Sequence, residues 1–346
     1  MRRKNSIVAL LAAACGGGML NAPLWAGPPK PDDLKKMEAA LPEKAPATPK
    51  KARKVLIYGN AQGFVHSSIE LGEETIAKLG EKTGAFTAVI SNDPAAFDDL
   101  SSFDAIMLVS TTGHFLLPRS DVGKAPAAPQ ALTDIAKETY AVQKKQYDEK
   151  VKADAIRVAP YKEKEKQRFQ NMVDFVKSGK GLAGIHAATD AYYDVPEWGL
   201  LIGGYFNGHP WHDVIVKMDD PKSPIMAGFG GKEYKINDET YTFKKEPYSR
   251  ELLHVMSSID ISGMKPDPKN HTLKQGENRP YDHDYAVSWI HVYGKGRVFY
   301  CSHGHSESVY WQTPMLEEYL AGLQYVLGDL DADATPSGPL KTAAVK

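Results

Sequence analysis

Residues 179–190 read GKGLAGIHAATD, and this stretch decides the fold. A short apolar run begins at Gly181, ends at His186, and is bordered by glycine and alanine. This pattern is typical of a parallel strand that is buried on both faces. The small neighbours favour a sharp turn like a nucleophile elbow, which presents one side chain above the sheet. Here that side chain is His186; the alternative is a histidine that only caps a tight turn.

Similar apolar runs precede this strand at residues 54–59, 86–91 and 105–110, separated by helical patterns. Alternation of strands and helices predicts right-handed crossovers and a parallel sheet with helices on both faces. The sequence therefore predicts an α/β fold with a mostly parallel sheet. Later β-like runs are expected to add mixed strands on one side, at residues 214–216, 252–259, 286–292 and 298–301.

The N-terminus has the layout of a secretory signal peptide over residues 1–26. Basic residues at 2–4 precede an apolar stretch at 7–20, which is short for a membrane span, and Ala26 is small. We expect an exported protein, periplasmic or extracellular, with no integral membrane span in the mature chain. A retained anchor and lipid attachment at Cys15 are the alternatives.

The rest of the chain divides by composition. Residues 27–53 are rich in proline, lysine and alanine and predict a disordered linker, followed by one domain over 54–330. Residues 119–163 are densely charged and predict a helical surface insert, which either covers the site as a lid or is simply solvated. Residues 331–346 predict a disordered tail.

Charge and cysteine content exclude several classes of protein. The 42 basic and 43 acidic residues nearly cancel, so the chain has no overall positive field that would attract a phosphate backbone. Nucleic acid is therefore not an expected partner. Cys15 lies in the predicted leader, which leaves Cys301 alone in the mature chain and excludes an intrachain disulfide. At the end of an apolar run, Cys301 is expected to be a small buried side chain and not a nucleophile.

Candidate site residues follow the predicted strands. Ligands bind beyond the carboxyl ends of strands in open α/β sheets. Each of the four segments in that position contains a histidine: His66, His114, His186 and His305. We expect His66, His186 and His305 to converge on one pocket. They are candidate ligands of a divalent transition metal; otherwise they are hydrogen-bonding or acid–base groups for a polyhydroxylated ligand.

The same residues carry a family resemblance. From about Lys54 to Leu330 the chain resembles the ThuA-like (trehalose-utilisation) proteins, and their fold implies a flavodoxin-like sheet of the class I glutamine amidotransferase type. His305, and not His303, is the expected site residue, because an aliphatic residue is more usual at 303 in the family. The matching stretches are 111–113 (TTG), 179–190, 203–210 (GGYFNGHP), 238–241 (DETY), 284–289 (DYAVSW), 294–300 (GKGRVFY) and 304–305 (GH).

The resemblance implies carbohydrate metabolism, with trehalose-like disaccharides or their 3-keto derivatives as substrates. Glutamine hydrolysis is not expected, because the elbow offers His186 where that reaction needs a thiolate. We expect His186 and His305 to be catalytic by acid–base chemistry; the alternative is a non-catalytic carbohydrate-binding module. The expected substrate-binding residues are His66, Thr112, Asp190, His209, Glu239, Asp284 and Trp289.

Overall fold

A computed structural model describes residues 27–118, 137–260 and 284–340 of the chain. The predicted leader with Cys15, the first part of the predicted insert and the last six residues lie outside the described residues. Within these ranges the chain forms a nine-stranded sheet with helices on both faces. The strands are β1 Lys54–Tyr58, β2 Thr87–Ile90, β3 Ala105–Val109, β4 Gly181–Ile185, β5 Phe206–Met218, β6 Tyr234–Phe243, β7 His254–Ile259, β8 Ala286–Tyr293 and β9 Gly296–Cys301.

The strand order is β2-β1-β3-β4-β9-β8-β7-β5-β6. The five strands from β2 to β9 in this order are parallel to one another, and the four pairings from β9 to β6 are antiparallel. The prediction of added mixed strands on one side is therefore confirmed. The prediction of a mostly parallel sheet is wrong, because half of the described pairings are antiparallel. One reason lies in the connection between β8 and β9, which is a tight turn after Tyr293, because so short a connection permits only antiparallel pairing.

The helices are α1 Pro31–Ala40, α2 Ile69–Thr83, α3 Lys137–Lys177, α4 Pro196–Ile202 and α5 Thr313–Val326. Alternate strand residues point to opposite faces, so Ile57 joins the core beneath α2 and α5, while Leu56 joins the core beneath α3 and α4. The described part of the charged insert is helical, as predicted. It continues into the next helix without a break, so α3 extends over 41 residues with Pro160 inside it.

Two segments predicted to be disordered have defined structure. In the segment 27–53, α1 buries Met37 in the core against α2, so the prediction of a disordered linker is wrong here. In the tail, the backbone N–H groups of Ser337 and Gly338 donate to carbonyls of Leu253 and Arg250. The prediction of a disordered tail is therefore wrong for residues 331–340. Composition missed both segments because their order comes from docking on the domain and not from their own apolar content.

Cys301 is a free and fully buried side chain in the core, as expected. Burial raises the pKa of its thiol well above the ordinary value. None of the described helices combines the length and the apolar character that crossing a membrane requires.

Candidate functional site

His186 occupies a strained turn directly after β4. Its φ of 49° lies in the left-handed region, and a 3₁₀ helix begins at this residue. The tight turn explains the small neighbours, since a Cβ on Gly184 would lie 2.9 Å from the Cβ of Ala188. Nδ1 of His186 lies 2.9 Å from the carbonyl oxygen of Ser302. A carbonyl only accepts, so Nδ1 carries the proton and Nε2 presents its lone pair.

His66 lies at the end of the loop that follows β1. Thr112, after β3, holds this loop: its hydroxyl donates to the carbonyl of Phe64 and accepts from the N–H of Gly63. The ring of His66 is buried, and its Nδ1 has no hydrogen-bond partner among the described residues. Thr112, which was predicted to bind substrate, is fully buried in the structure and positions the loop of His66.

His305 lies in the loop that follows β9, and a buried carboxylate fixes this loop. Asp238 accepts hydrogen bonds from the backbone N–H groups of Gly304 and Ser306, each at 2.8 Å. Gly304 has a φ of 134°, and a Cβ there would lie 3.3 Å from the Cβ of His186. Only glycine combines this conformation with such a close approach. The turns that carry His186 and His305 therefore lie against each other.

Glu239 reaches the site from β6. The hairpin of β5 and β6 passes over the carboxyl ends of the parallel strands, where the N–H of Tyr241 donates to Oγ of Ser302. Oε2 of Glu239 lies 3.1 Å from Nδ1 of His305 and 3.5 Å from Nε2 of His186. Oε1 lies 3.1 Å from Nδ1 of His209. One carboxylate thus contacts three imidazoles.

His66, His186, Glu239 and His305 form one group, which we call the histidine–glutamate cluster. The ring of His66 lies 4.6 Å from that of His186 and 5.2 Å from that of His305, measured between centroids. Each residue offers one nitrogen or oxygen, and these four atoms lie within 4.8 Å of one another. The structure thus brings together the three histidines expected at the strand ends, and adds Glu239.

The electrostatics of the cluster follow from burial and mutual contact. Burial, reinforced by the neighbouring His186 and His305, lowers the pKa of His66 to about 2, so its ring is neutral. Burial raises the pKa of the Glu239 carboxyl, but contacts with His186 and His305 outweigh it and keep that pKa well below its ordinary value. The contact with Glu239 raises the pKa of His305. The cluster therefore contains one carboxylate among three imidazoles.

The rim of the cluster contains two more of the predicted substrate-binding residues. His209 is half-exposed on β5, and burial lowers its pKa. Asp190 follows the elbow and accepts a hydrogen bond from the hydroxyl of Tyr193 at 2.7 Å. Burial raises the pKa of Asp190, and His186 and Glu239 lie close enough to affect it. Both side chains border the cluster.

Three other candidates lie elsewhere. Trp289 is fully buried, its ring 4.4 Å from that of Tyr300 and its Nε1 donating to the carbonyl of Ile202, so the prediction that it binds substrate is wrong. Asp284 accepts from Nε of Arg250 and from the hydroxyl of Tyr248, beside a separate cavity of 660 Å³. These contacts make Asp284 part of a buried ion pair away from the cluster. His114, although it follows a strand, contacts Glu165 and Asp194 instead.

Sequence reasoning missed three residues that shape the site. Asp238 fixes the loop of His305, the Ser302 carbonyl sets the tautomer of His186, and the Tyr241 hydroxyl lies 3.1 Å from Nε2 of His186. Two of them flank Glu239 in the stretch DETY at 238–241. A signal was therefore present, but it did not show which side chains face the histidines.

The family model for ThuA, described as trehalose utilisation, matches residues 122–326, which is more than half of the chain. The chain belongs to the ThuA family. His186, Glu239 and His305 lie within the residues that match the ThuA model, and His66 precedes them.

One solved structure shows the same fold at low sequence identity, and a second is less similar. A ThuA-like protein from Bacteroides uniformis ATCC 8492 is 18% identical with a TM-score of 0.51, over 84% of this chain and 98% of that chain. One from Parabacteroides merdae ATCC 43184 is 14% identical with a TM-score of 0.48, over 82% and 93%. No curated protein matches the sequence.

Proposed function

We propose that this ThuA protein is an exported enzyme of carbohydrate catabolism that acts on a keto-glycoside derived from a trehalose-like disaccharide. The observation that carries the proposal is the histidine–glutamate cluster. It places three imidazoles around one carboxylate beyond the carboxyl ends of parallel strands. The substrate class rests on membership of a family described by trehalose utilisation. Export rests on the basic, apolar and small residues of the first 26 positions.

The chemistry that suits this arrangement is removal of a proton next to a ketone. The C–H proton passes to a base, and the electron pair of that bond moves into the carbonyl to form an enolate. His209 is placed to be the base: its Nδ1 contacts the Glu239 carboxylate and so carries a proton, which leaves Nε2 as the acceptor. His186 and His305, the residues predicted to be catalytic, lie where the oxygen that gains negative charge would be held; because Nε2 of His186 carries no proton, it can hold that charge only through a bound cation.

The enolate can then complete either of two reactions. In a 3-keto-glycoside the glycosidic oxygen is on the carbon β to the ketone, so the enolate can re-form the carbonyl, make a C1–C2 double bond and expel that oxygen, which takes the proton held by His209 and leaves as an alcohol. Alternatively, the proton returns at another atom and the sugar is isomerised. Either outcome needs the same first step at the cluster. Glutamine hydrolysis does not fit, because Cys301 is buried in the core and the elbow presents His186.

We also propose that the parallel half of the sheet is flavodoxin-like. The order β2-β1-β3-β4-β9 corresponds to 2-1-3-4-5, the order in which ligands bind at the switch point between the first and third strands. The loop of His66 follows β1, and Thr112, which holds it, follows β3. This placement agrees with a substrate site at the cluster.

Turnover of 3-keto-trehalose by the purified protein tests the proposal. The wild-type protein is expected to consume the substrate, and His186→Ala, which removes a group that helps to stabilise the developing charge, to lose about 10²–10³-fold in rate. His254→Ala is the matched control. His254 pairs with Asp220 at the start of β7 and is not part of the cluster, so this variant is expected to keep the full rate. Binding without turnover would support instead the second candidate, a non-catalytic carbohydrate-binding module. Equal rates for wild type and His186→Ala would exclude the cluster as the catalytic site.

A further inference from the structure

We propose that the histidine–glutamate cluster holds one divalent transition-metal ion, with His66, His186, Glu239 and His305 as its ligands. The binding of the ion does not depend on the substrate proposed above; only its catalytic role rests on that proposed function. Three observations carry the inference: unpartnered nitrogens inside the cluster, a fixed tautomer at His186, and separations between donor atoms that suit one ion.

The first observation is that two imidazole nitrogens of the cluster lack a hydrogen-bond partner. Nδ1 of His66 and Nδ1 of His305 are buried and have no hydrogen-bond partner among the described residues. Nδ1 of His305 lies 3.1 Å from Oε2 of Glu239, but the two atoms do not meet hydrogen-bond geometry. Buried polar atoms in native proteins are nearly always satisfied. Two orphaned nitrogens in a cluster that also contains a carboxylate therefore indicate a cation there.

The second observation concerns His186. Its Nδ1 is committed to the Ser302 carbonyl, so the nitrogen that faces the cluster is unprotonated. Metal-binding histidines commonly donate their other ring N–H to a carbonyl or carboxylate, which fixes the tautomer and the ring orientation. The Tyr241 hydroxyl at 3.1 Å is the group that would compete for this lone pair. His209 provides the corresponding outer contact for Glu239 at Oε1.

The third observation is the spacing of the donor atoms. Bonds of about 2.0–2.1 Å in a tetrahedral site place neighbouring donors about 3.3 Å apart. Oε2 of Glu239 lies 3.1 Å from Nδ1 of His305 and 3.5 Å from Nε2 of His186. All four donors lie within 4.8 Å of one another. Small movements of side chains would complete the site.

The donor set selects the class of ion. Three imidazoles and one carboxylate suit zinc, iron, nickel or copper, whereas magnesium and calcium prefer oxygen donors alone. The site also has an accessible side, since His186 is fully buried while 34% of the His305 side chain is exposed. A substrate oxygen can approach there as a fifth ligand. In the proposed reaction this oxygen is the ketone, and the ion supplies the positive charge that an enolate requires.

The test is metal binding by the full-length protein after treatment with a chelator, with cobalt(II) and zinc(II) as probes. We expect about one ion per chain, and for cobalt(II) the visible absorption that is typical of an ion with a low coordination number. His66→Ala and His186→Ala are each expected to weaken zinc affinity by more than about 100-fold, beyond the loss of about 10–100-fold expected for the outer residue in His209→Ala. His114→Ala, which removes a histidine–carboxylate contact outside the cluster, is the matched control and should bind as the wild type does.

The outcomes separate this inference from the proposed function. No stoichiometric binding, or binding that survives both His66→Ala and His186→Ala in folded protein, would overturn the metal site. Circular dichroism and melting curves establish that each variant is folded. Stoichiometric zinc without turnover of 3-keto-trehalose would leave the site standing and refute the proposed substrate. Full turnover by chelator-treated protein with no bound metal would refute the catalytic role of the ion.

Discussion

Replacing Asp238 with alanine should both destabilise the protein and disturb the site. The buried Asp238 carboxylate accepts two backbone N–H groups at 2.8 Å and a third, that of His305, at 3.4 Å. Hydrogen bonds to charged groups contribute about 1.5–3 kcal/mol each, so the two short bonds amount to about 3–6 kcal/mol. Removing the carboxylate also removes the cost of burying a charge. We therefore expect a loss of about 3 kcal/mol in the free energy of unfolding.

Urea denaturation at neutral pH measures this loss. Asp238→Asn keeps one acceptor oxygen and should lose about half as much as the alanine variant. Asn237→Ala is the matched control, since it removes an exposed side chain on the same strand and should change stability by no more than about 0.5 kcal/mol. A loss below about 1 kcal/mol for Asp238→Ala would refute the reasoning that this carboxylate holds the loop of His305 in place.

Three further predictions concern Glu318, Trp289 and His114. Burial raises the pKa of the Glu318 carboxyl from 4.5 to about 7, so the folded state loses stability as pH rises between these values. The free energy of unfolding of Glu318→Gln, relative to that of wild type, should be about 2.5 kcal/mol higher at pH 8 than at pH 5. The same difference between variant and wild type at both pH values would contradict this prediction. Trp289→Ala should cost about 3–5 kcal/mol as a core truncation, whereas the more conservative Trp289→Phe should keep substrate affinity; weakened binding by a stable Trp289→Phe would restore its predicted role. His114→Ala should retain most of the turnover that His186→Ala loses, and equal losses in a rate assay would place His114 in the site.

The part of the site that could be predicted from sequence is the part set by strand ends. A short apolar run fixes where a parallel strand stops, and the carboxyl ends of neighbouring strands share one edge of the sheet. His66, His186 and His305 could therefore be expected together, and the structure places them so. The small residues around His186 also indicated the strained turn, which appears as a φ of 49°.

The remaining features depend on tertiary contacts that local patterns do not contain. Glu239 joins the histidines because the β5–β6 hairpin passes over the parallel strands, and nothing in the alternation of the two strands specifies that path. Trp289 and Asp284 were expected in the site, yet packing on Tyr300 and pairing with Arg250 hold them elsewhere. The order of α1 could not be predicted for the same reason, because Met37 packs against core residues that lie outside its own segment.

Deuterium incorporation into 3-keto-trehalose is the measurement that tests proton removal at the site most directly. The protein, saturated with zinc in D₂O, is mixed with the sugar, and NMR follows the C–H groups next to the ketone. We predict that wild type exchanges or eliminates at that carbon, while folded His209→Ala, which lacks the proposed base, does so about 10²–10⁴-fold more slowly. Wild-type protein that binds the sugar but leaves those C–H signals at the background rate would contradict proton removal at the histidine–glutamate cluster.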